Sequence, residues 1–220
     1  MENNMSNQYD YVIGVDPGLS GGITILDGNK DKMDVYPMPI NTLTKGTKKK
    51  PKKVNEIDCQ GTVDLLSPYD GKKVLFVIER VTARGGEAPN RAFNFGYGWG
   101  YIQGVAWTLG FDVKIVTPQK WKKYFPELET SEISKMRDDI SFLKEDVKDM
   151  QEKKIPKDKI KEKKKEISQN DSKLKRLAKS AAREVVSQKY PKQKDEFKRV
   201  KDDGKAESVL IALYGKNELV

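Results

Sequence analysis

The sequence predicts an α/β protein interrupted by a long, charged helical hairpin. Three observations predict it. Two short apolar stretches of strand character, YVIGV at 11–15 and KKVLFVIE at 72–79, each lead into an acid. Gly- and Pro-punctuated helical stretches lie after them. Residues 129–176 are more than half charged, with apolar residues mostly at coiled-coil steps.

The elements follow in order. Residues 1–9 read as a loose tail. Tyr11 to about Leu26 reads as strand, glycine turn, strand. Lys45–Lys53 (KGTKKKPKK) is too hydrophilic and turn-rich for core and reads as a basic loop. Residues 72–79 form a buried strand. Residues 93–109, rich in Gly and aromatics, read as a helix, and VKIV at 113–116 as a strand. Pro118 opens a short helix to about Tyr124. In the first arm of 129–176 apolar residues stand at Ile133, Met136, Ile140, Leu143, Val147 and Met150, three and four apart. Ile155-Pro156 breaks that rhythm, and a second arm carries Ile160, Ile167 and Leu174. An antiparallel hairpin lets the two arms cover each other's stripe. One long solvated helix is the alternative. Leu177–Tyr190 reads as a further helix, ended by Pro191. The last helix runs from near Asp203 through Tyr214, with Gly215 as its C-cap.

Composition narrows the chemistry. There are 220 residues, no His and one Cys, Cys59. Imidazole-dependent triads, His-ligated zinc and disulfide frameworks are therefore excluded. Any acid–base or metal chemistry must use carboxylates, Lys, Tyr or Ser. The net charge of +9 favours a polyanionic partner such as nucleic acid, with an anionic membrane as second choice. Residues 129–176 hold 15 basic and 12 acidic residues, so this segment reads as a mixed-charge arm. The lysine-rich loop is the stronger nucleic-acid candidate, with a solubilising surface loop as its alternative. No apolar run approaches a membrane span, and the first residues lack a signal-peptide core. The expectation is a soluble, cytoplasmic protein (host cytoplasm if viral).

Three acidic features stand out. Asp16 ends the strand of VIGVDPGLSGG, and Gly18, Gly21 and Gly22 would let a phosphate or metal approach the backbone. Glu79 ends VLFVIE. Asp202, Asp203 and Glu207 open the last helix, with Asp203 and Glu207 one turn apart on one face. Gathered carboxylates repel and raise one another's pKa. A hard divalent ion removes that conflict, since Mg²⁺ favours carboxylate and phosphate oxygens. Two such ions can drive phosphodiester hydrolysis without His or Cys. Taken singly, each acid also fits a turn or an N-cap.

These pieces resemble the RuvC-like Holliday-junction resolvases of the RNase H-like superfamily, especially their phage and poxvirus-type branch. The matching segments are IGVDPGLSGG (13–22), VIE (77–79), FGYGWGYIQGV (95–105), VTPQKWKKYF (116–125) and DDGKAESVLIALYG (202–215), in the family's order. The resemblance implies a mixed five-stranded sheet flanked by helices, formed by 10–128 plus 175–220, with 129–174 as an inserted hairpin. It implies Asp16, Glu79, Asp203 and Glu207 as catalytic acids holding two Mg²⁺ ions. Asp202 is the alternative to Asp203, and Mn²⁺ the alternative metal. The implied activity is paired cleavage of four-way DNA junctions by a homodimer in DNA recombination and repair, leaving 5′-phosphate and 3′-hydroxyl ends. DNA contacts fall to Lys48, Lys49, Lys50, Lys52, Lys53, Arg80, Arg84, Lys175 and Lys179. The helix carrying Gly96, Gly98, Gly100 and Gly104 would lie near the dimer interface, or pack on the sheet. Trp99, Tyr101 and Trp107 would be core or interface.

The chain departs from the family at Thr82, where some cellular members carry a junction-wedging aromatic. Arg84, or Phe93 and Phe95, are candidates to take its place. The 129–176 hairpin and the Lys45–Lys53 loop are insertions. The hairpin would extend the DNA footprint or bind a partner protein. Three other readings compete: an actin-like sugar kinase, which needs a second lobe; a nuclease of flaps, forks or general branched DNA; and a non-catalytic DNA-binding scaffold.

Overall fold

The computed structural model describes residues 8–28, 30, 32–83, 86 and 88–220. The chain first lays down an antiparallel meander: β1 (Tyr11–Asp16), β2 (Gly22–Asp27) and β3 (Met33–Pro37). A separate two-stranded hairpin follows, β4 (Ile40–Thr47) and β5 (Lys50–Ile57). Then come α1 (Cys59–Leu66), β6 (Val74–Glu79), α2 (Pro89–Thr108) and β7 (Asp112–Val116). The main sheet has the order β3-β2-β1-β6-β7, with β1, β6 and β7 parallel. The connection from β6 to β7 passes through α2, as parallel neighbours require. α3 (Pro118–Lys123), α4 (Ser131–Glu152), α5 (Lys157–Lys189) and α6 (Asp203–Glu218) complete the chain. This is a five-stranded mixed sheet flanked by helices, the α/β class expected from the sequence.

Strand parity sorts the core into two layers. Val12, Leu75 and Val77 pack with α6 and the inner end of α5. Ile13, Val15, Phe76 and Ile78 pack on the other face with α1 and α2. Both faces of the central strands are covered, which is why they read as unbroken apolar runs. α6 is itself buried almost all round, from Ala206 through Tyr214, so it shows no amphipathic stripe.

The distance between α6 and the sheet is set by glycine. A Cβ on Gly14 would stand 2.3 Å from the Ala212 nitrogen and 2.4 Å from the Ser208 oxygen. Gly21 and Gly204 form a parallel bridge, backbone to backbone. A Cβ on Gly204 would stand 2.1 Å from the Ser20 oxygen. Beside these contacts Thr24 and Ser208 share a buried hydroxyl hydrogen bond of 2.7 Å. Gly21 and Gly22 thus let this turn and the start of α6 pack closely together. Gly215 lies inside α6, which continues to Glu218, and is not its cap.

Other expectations shift too. Lys45–Lys53 is not a loop but the distal part of the β4–β5 hairpin, turning at Lys48 and Lys49, with Gly46 at φ +100°. Tyr9 is not loose: its hydroxyl donates to the Asp112 carboxylate. Residues 1–7 lie outside the described residues, as does Arg84. α4 buries Ile133, Ile140, Leu143 and Val147, and a short turn at 153–156 folds α5 back on it. α5 is one helix of 33 residues, with no break near Arg176. Its first half covers α4, and its second half buries Ala181, Ala182, Val185 and Val186 in the body. Trp107 is 60% exposed and so is not core.

The glycine spacing generates a test. Gly14→Ala should destabilise the protein by about 3 kcal/mol, because backbone and not a movable side chain would have to give way. Gly96→Ala, which meets nothing within 4 Å on α2, should instead stabilise by up to about 1 kcal/mol through helix propensity. Urea midpoints of the two variants measure both.

Candidate active site

The acids are gathered by register and parity. Gly14 and Asp16 continue the Val12 side of β1, and Glu79 continues the Leu75–Val77 side of β6, so both acids lie on the α6 side. Val15 pairs with Ile78, which puts Asp16 and Glu79 next to each other on strands about 4.8 Å apart. The Gly21–Gly204 bridge fixes the start of α6 over this strand end. Glu207 follows Asp203 by one helical turn.

The electrostatics show which acids meet. Asp16 retains some exposed surface but is densely surrounded by protein. Burial, then the charges of Glu207 and Glu79, push its carboxyl up to about 7. The Gly18 N–H, 3.2 Å from Oδ1, and the Lys179 charge pull the other way and lose. Asp16, Glu79 and Glu207 therefore form one interacting group.

Every other acid leans on a donor. Trp121, fully buried, donates its indole N–H to Glu79 Oε2 at 2.7 Å. The Trp99 indole N–H donates to the Glu79 backbone oxygen at 3.0 Å. Lys122 Nζ donates to Glu207 Oε1 at 3.1 Å. Asp203 lies 2.8 Å from Arg183 Nε and 3.5 Å from Lys179 Nζ. The Arg183 contact is an ion pair poorly aligned for a hydrogen bond, so Oδ1 keeps unused acceptor capacity. Asp202 points into a different network. Burial opposes its ionisation, but bonds from the Arg199 side chain and backbone, with the Lys205 charge, hold its carboxyl below the usual range. Of the adjacent pair, Asp203 is the one tied to the residues around Asp16, through Lys179.

The basic residues fall into two groups. Lys179 stands at the site, and Lys175 is exposed one turn outward on α5. Arg80 is exposed immediately after Glu79, its N–H bonded to the Val116 oxygen. Lys48, Lys49, Lys50, Lys52 and Lys53 are all exposed on the β4–β5 hairpin. Sequence reasoning missed Trp121, Lys122 and Arg183. The WKK of 121–123 carried a signal, because a buried Trp needs an acceptor for its N–H. A cavity of about 690 Å³ runs from Glu207 and Lys122 along α3 to Ile133 and Arg137 at the base of the arm.

The donor set, four carboxylates with excess negative charge centred on Asp16, matches hard divalent cations. Among the described residues, no three carboxylates stand close enough to hold one ion without moving. Glu79, Glu207 and Asp203 are turned onto Trp121, Lys122 and Arg183, and metal binding requires these carboxylates to reorient toward the ion.

The raised Asp16 pKa sets a pH-dependent stability. Its folded value lies above the unfolded one, so the contribution is intact near pH 4 and is lost as pH rises through about 7. In chelator, Asp16→Asn should therefore be more stable than wild type at pH 8, by up to about 4 kcal/mol. The difference should vanish near pH 4. Thermal melts at both pH values check this; equal melting temperatures at pH 8 would contradict it.

No protein-family model matches the chain, and no curated protein sequence matches it. Solved structures do. A Thermus thermophilus RuvC structure is 16% identical, with a TM-score of 0.30, over 51% of this chain and 67% of that one. T. thermophilus RuvC in complex with a Holliday junction substrate is 13% identical, with a TM-score of 0.33, over 51% of this chain and 68% of that one. No described helix is long and apolar enough to cross a membrane.

Proposed function

We propose that this protein is a divalent-metal-dependent endonuclease that cuts branched DNA, four-way junctions above all. The observation that carries the reading is the group of acids from β1, β6 and α6, whose mutual repulsion centres on Asp16. Asp16, Glu79, Asp203 and Glu207 would hold the ions, Mg²⁺ first and Mn²⁺ as substitute. When bound, such ions supply activation of the attacking water and stabilisation of the leaving oxygen of a phosphodiester, giving 5′-phosphate and 3′-hydroxyl ends. Trp121 occupies one Glu79 oxygen and so orients the other. Lys122, released from Glu207, is placed to neutralise a phosphate oxygen.

The β4–β5 hairpin supports a DNA partner. Lys45 stands directly opposite Lys52, and Lys50 lies on the same face. Like charges placed opposite each other destabilise a sheet, and phosphates relieve that repulsion. α2 supports a homodimer: Phe93, Tyr97 and Trp107 are exposed, and Gly96, Gly100 and Gly104 leave open space beside them. A second copy covering this stripe would give two sites, as paired cleavage needs. Affiliation with the phage and poxvirus-type resolvases, and cytoplasmic action, belong to the same proposal.

The test is Mg²⁺-dependent cleavage of a labelled immobile four-way junction beside linear duplex, flap and fork. Paired nicks on the junction are expected, with Asp16→Asn slower by about 10³-fold, or roughly 4 kcal/mol of barrier. Equal cutting of flaps and forks would replace the junction reading with a general branched-DNA nuclease. Tight binding without cleavage would replace it with a scaffold.

A further inference from the structure

On the nuclease reading above, we propose that α5 is a rail for the backbone of duplex DNA, leading one arm of the substrate to the catalytic acids. The rail is a stripe on a single face of the helix. Starting at Lys157 and stepping by four, four, three, four, three, four and four residues, it runs Lys157, Lys161, Lys165, Ser168, Ser172, Lys175, Lys179, Arg183. These steps keep one helical face. It holds six cations, two hydroxyls and no carboxylate.

Net charge conceals this stripe. By composition the arm is mixed, but its acids are placed elsewhere. Asp146 on α4 pairs with Lys163, and Asp149 with Lys153. Glu162 and Glu166 lie off the stripe. Its borders carry Asp158 and Arg176 on one side and Asp171 and Lys164 on the other. The residues covering α4, among them Ile160, Ile167 and Leu174, turn toward the opposite side, and the stripe from Lys157 to Lys179 is exposed. Among the described residues, Lys157, Lys161, Lys165 and Lys175 make no ion pair. Repeated like charges one turn apart destabilise a helix, and a polyanion laid along them removes that repulsion.

The inner end of the stripe is at the site. Lys179 and Arg183 reach Asp203 at 3.5 and 2.8 Å. Because α5 is unbroken, the direction from site to arm tip is fixed by one rigid element. From Lys157 to Arg183 it spans about 39 Å, roughly one turn of B-form duplex. The stripe carries no aromatic side chain, and single strands are held chiefly by stacking on aromatics. Straightness, length and chemistry therefore select duplex phosphates, read without sequence preference.

The experiment measures binding of a 30-base-pair linear duplex by the full chain in EDTA, from 50 to 200 mM KCl. The rail variant replaces Lys157, Lys161, Lys165 and Lys175 with Ala, leaving Lys179 and Arg183 in place. The control replaces Lys144, Lys148, Lys159 and Lys173, equal in charge but off the stripe. Circular dichroism checks that both keep their helix. The rail variant should lose about three to four from the slope of log affinity against log salt, so its affinity falls about 100-fold less across this range. The control should keep the wild-type slope. Equal losses in the two variants, or a wild-type slope in the rail variant, would overturn the rail. Rail-dependent binding by a protein that cuts no branched DNA would overturn the nuclease reading alone, and junction cleavage with rail-independent binding would overturn the rail alone.

Discussion

The closeness of α6 to the sheet is the constraint on which the rest depends. Gly14 admits the backbone of Ser208–Ala212, and Gly21 meets Gly204 as though α6 began as another strand. Side chains at these points would hold the helix away from β1, and Glu207 would be carried away from Asp16. The two strand-end acids need no such device, because parallel pairing of β1 and β6 already makes them neighbours. The site is thus made by two independent geometries, strand register and glycine contact, meeting at one end of the sheet.

What the fold gathers, it also opposes. Burial and two neighbouring carboxylates act against the ionisation of Asp16. The surrounding acids are held by Trp121, Lys122, Lys179 and Arg183, so the excess charge is spread over internal partners from α3 and α5. Those partners come from the segments that lead to the arm: α3 precedes it and α5 returns from it. The arm and the acids are therefore mechanically joined, and an object lying along α5 touches the residues that hold Asp203.

Much of this was legible in the sequence, for physical reasons. Strands buried on both faces write unbroken apolar runs, so β1 and β6 and their terminal acids were readable. The hairpin wrote its heptad steps at Ile133, Ile140, Leu143 and Val147. The β4–β5 hairpin did not show, because a fully exposed strand has no alternation to display, and lysines dominate it. β3 and α1 left no distinct pattern. The junction at Arg176 misled because the buried stripe of α5 changes partner there, from α4 to the body, while its backbone continues unbroken. Gly21 and Gly22 carried two meanings, since close approach by a helix and close approach by a phosphate require the same residue. Charge arithmetic hid the stripe on α5, because a sum discards position.

On the proposed function, these carboxylates are held in electrostatic tension that a divalent cation relieves. Calorimetric titration with Mn²⁺ at pH 6.5, in two buffers of different ionisation enthalpy, tests it most directly. Saturable binding that releases a substantial fraction of a proton is expected, since burial and the charges of Glu207 and Glu79 push the Asp16 carboxyl up to about 7. Asp16→Asn should bind more weakly and release none. Absence of binding up to millimolar Mn²⁺, or the same proton release from Asp16→Asn, would contradict it.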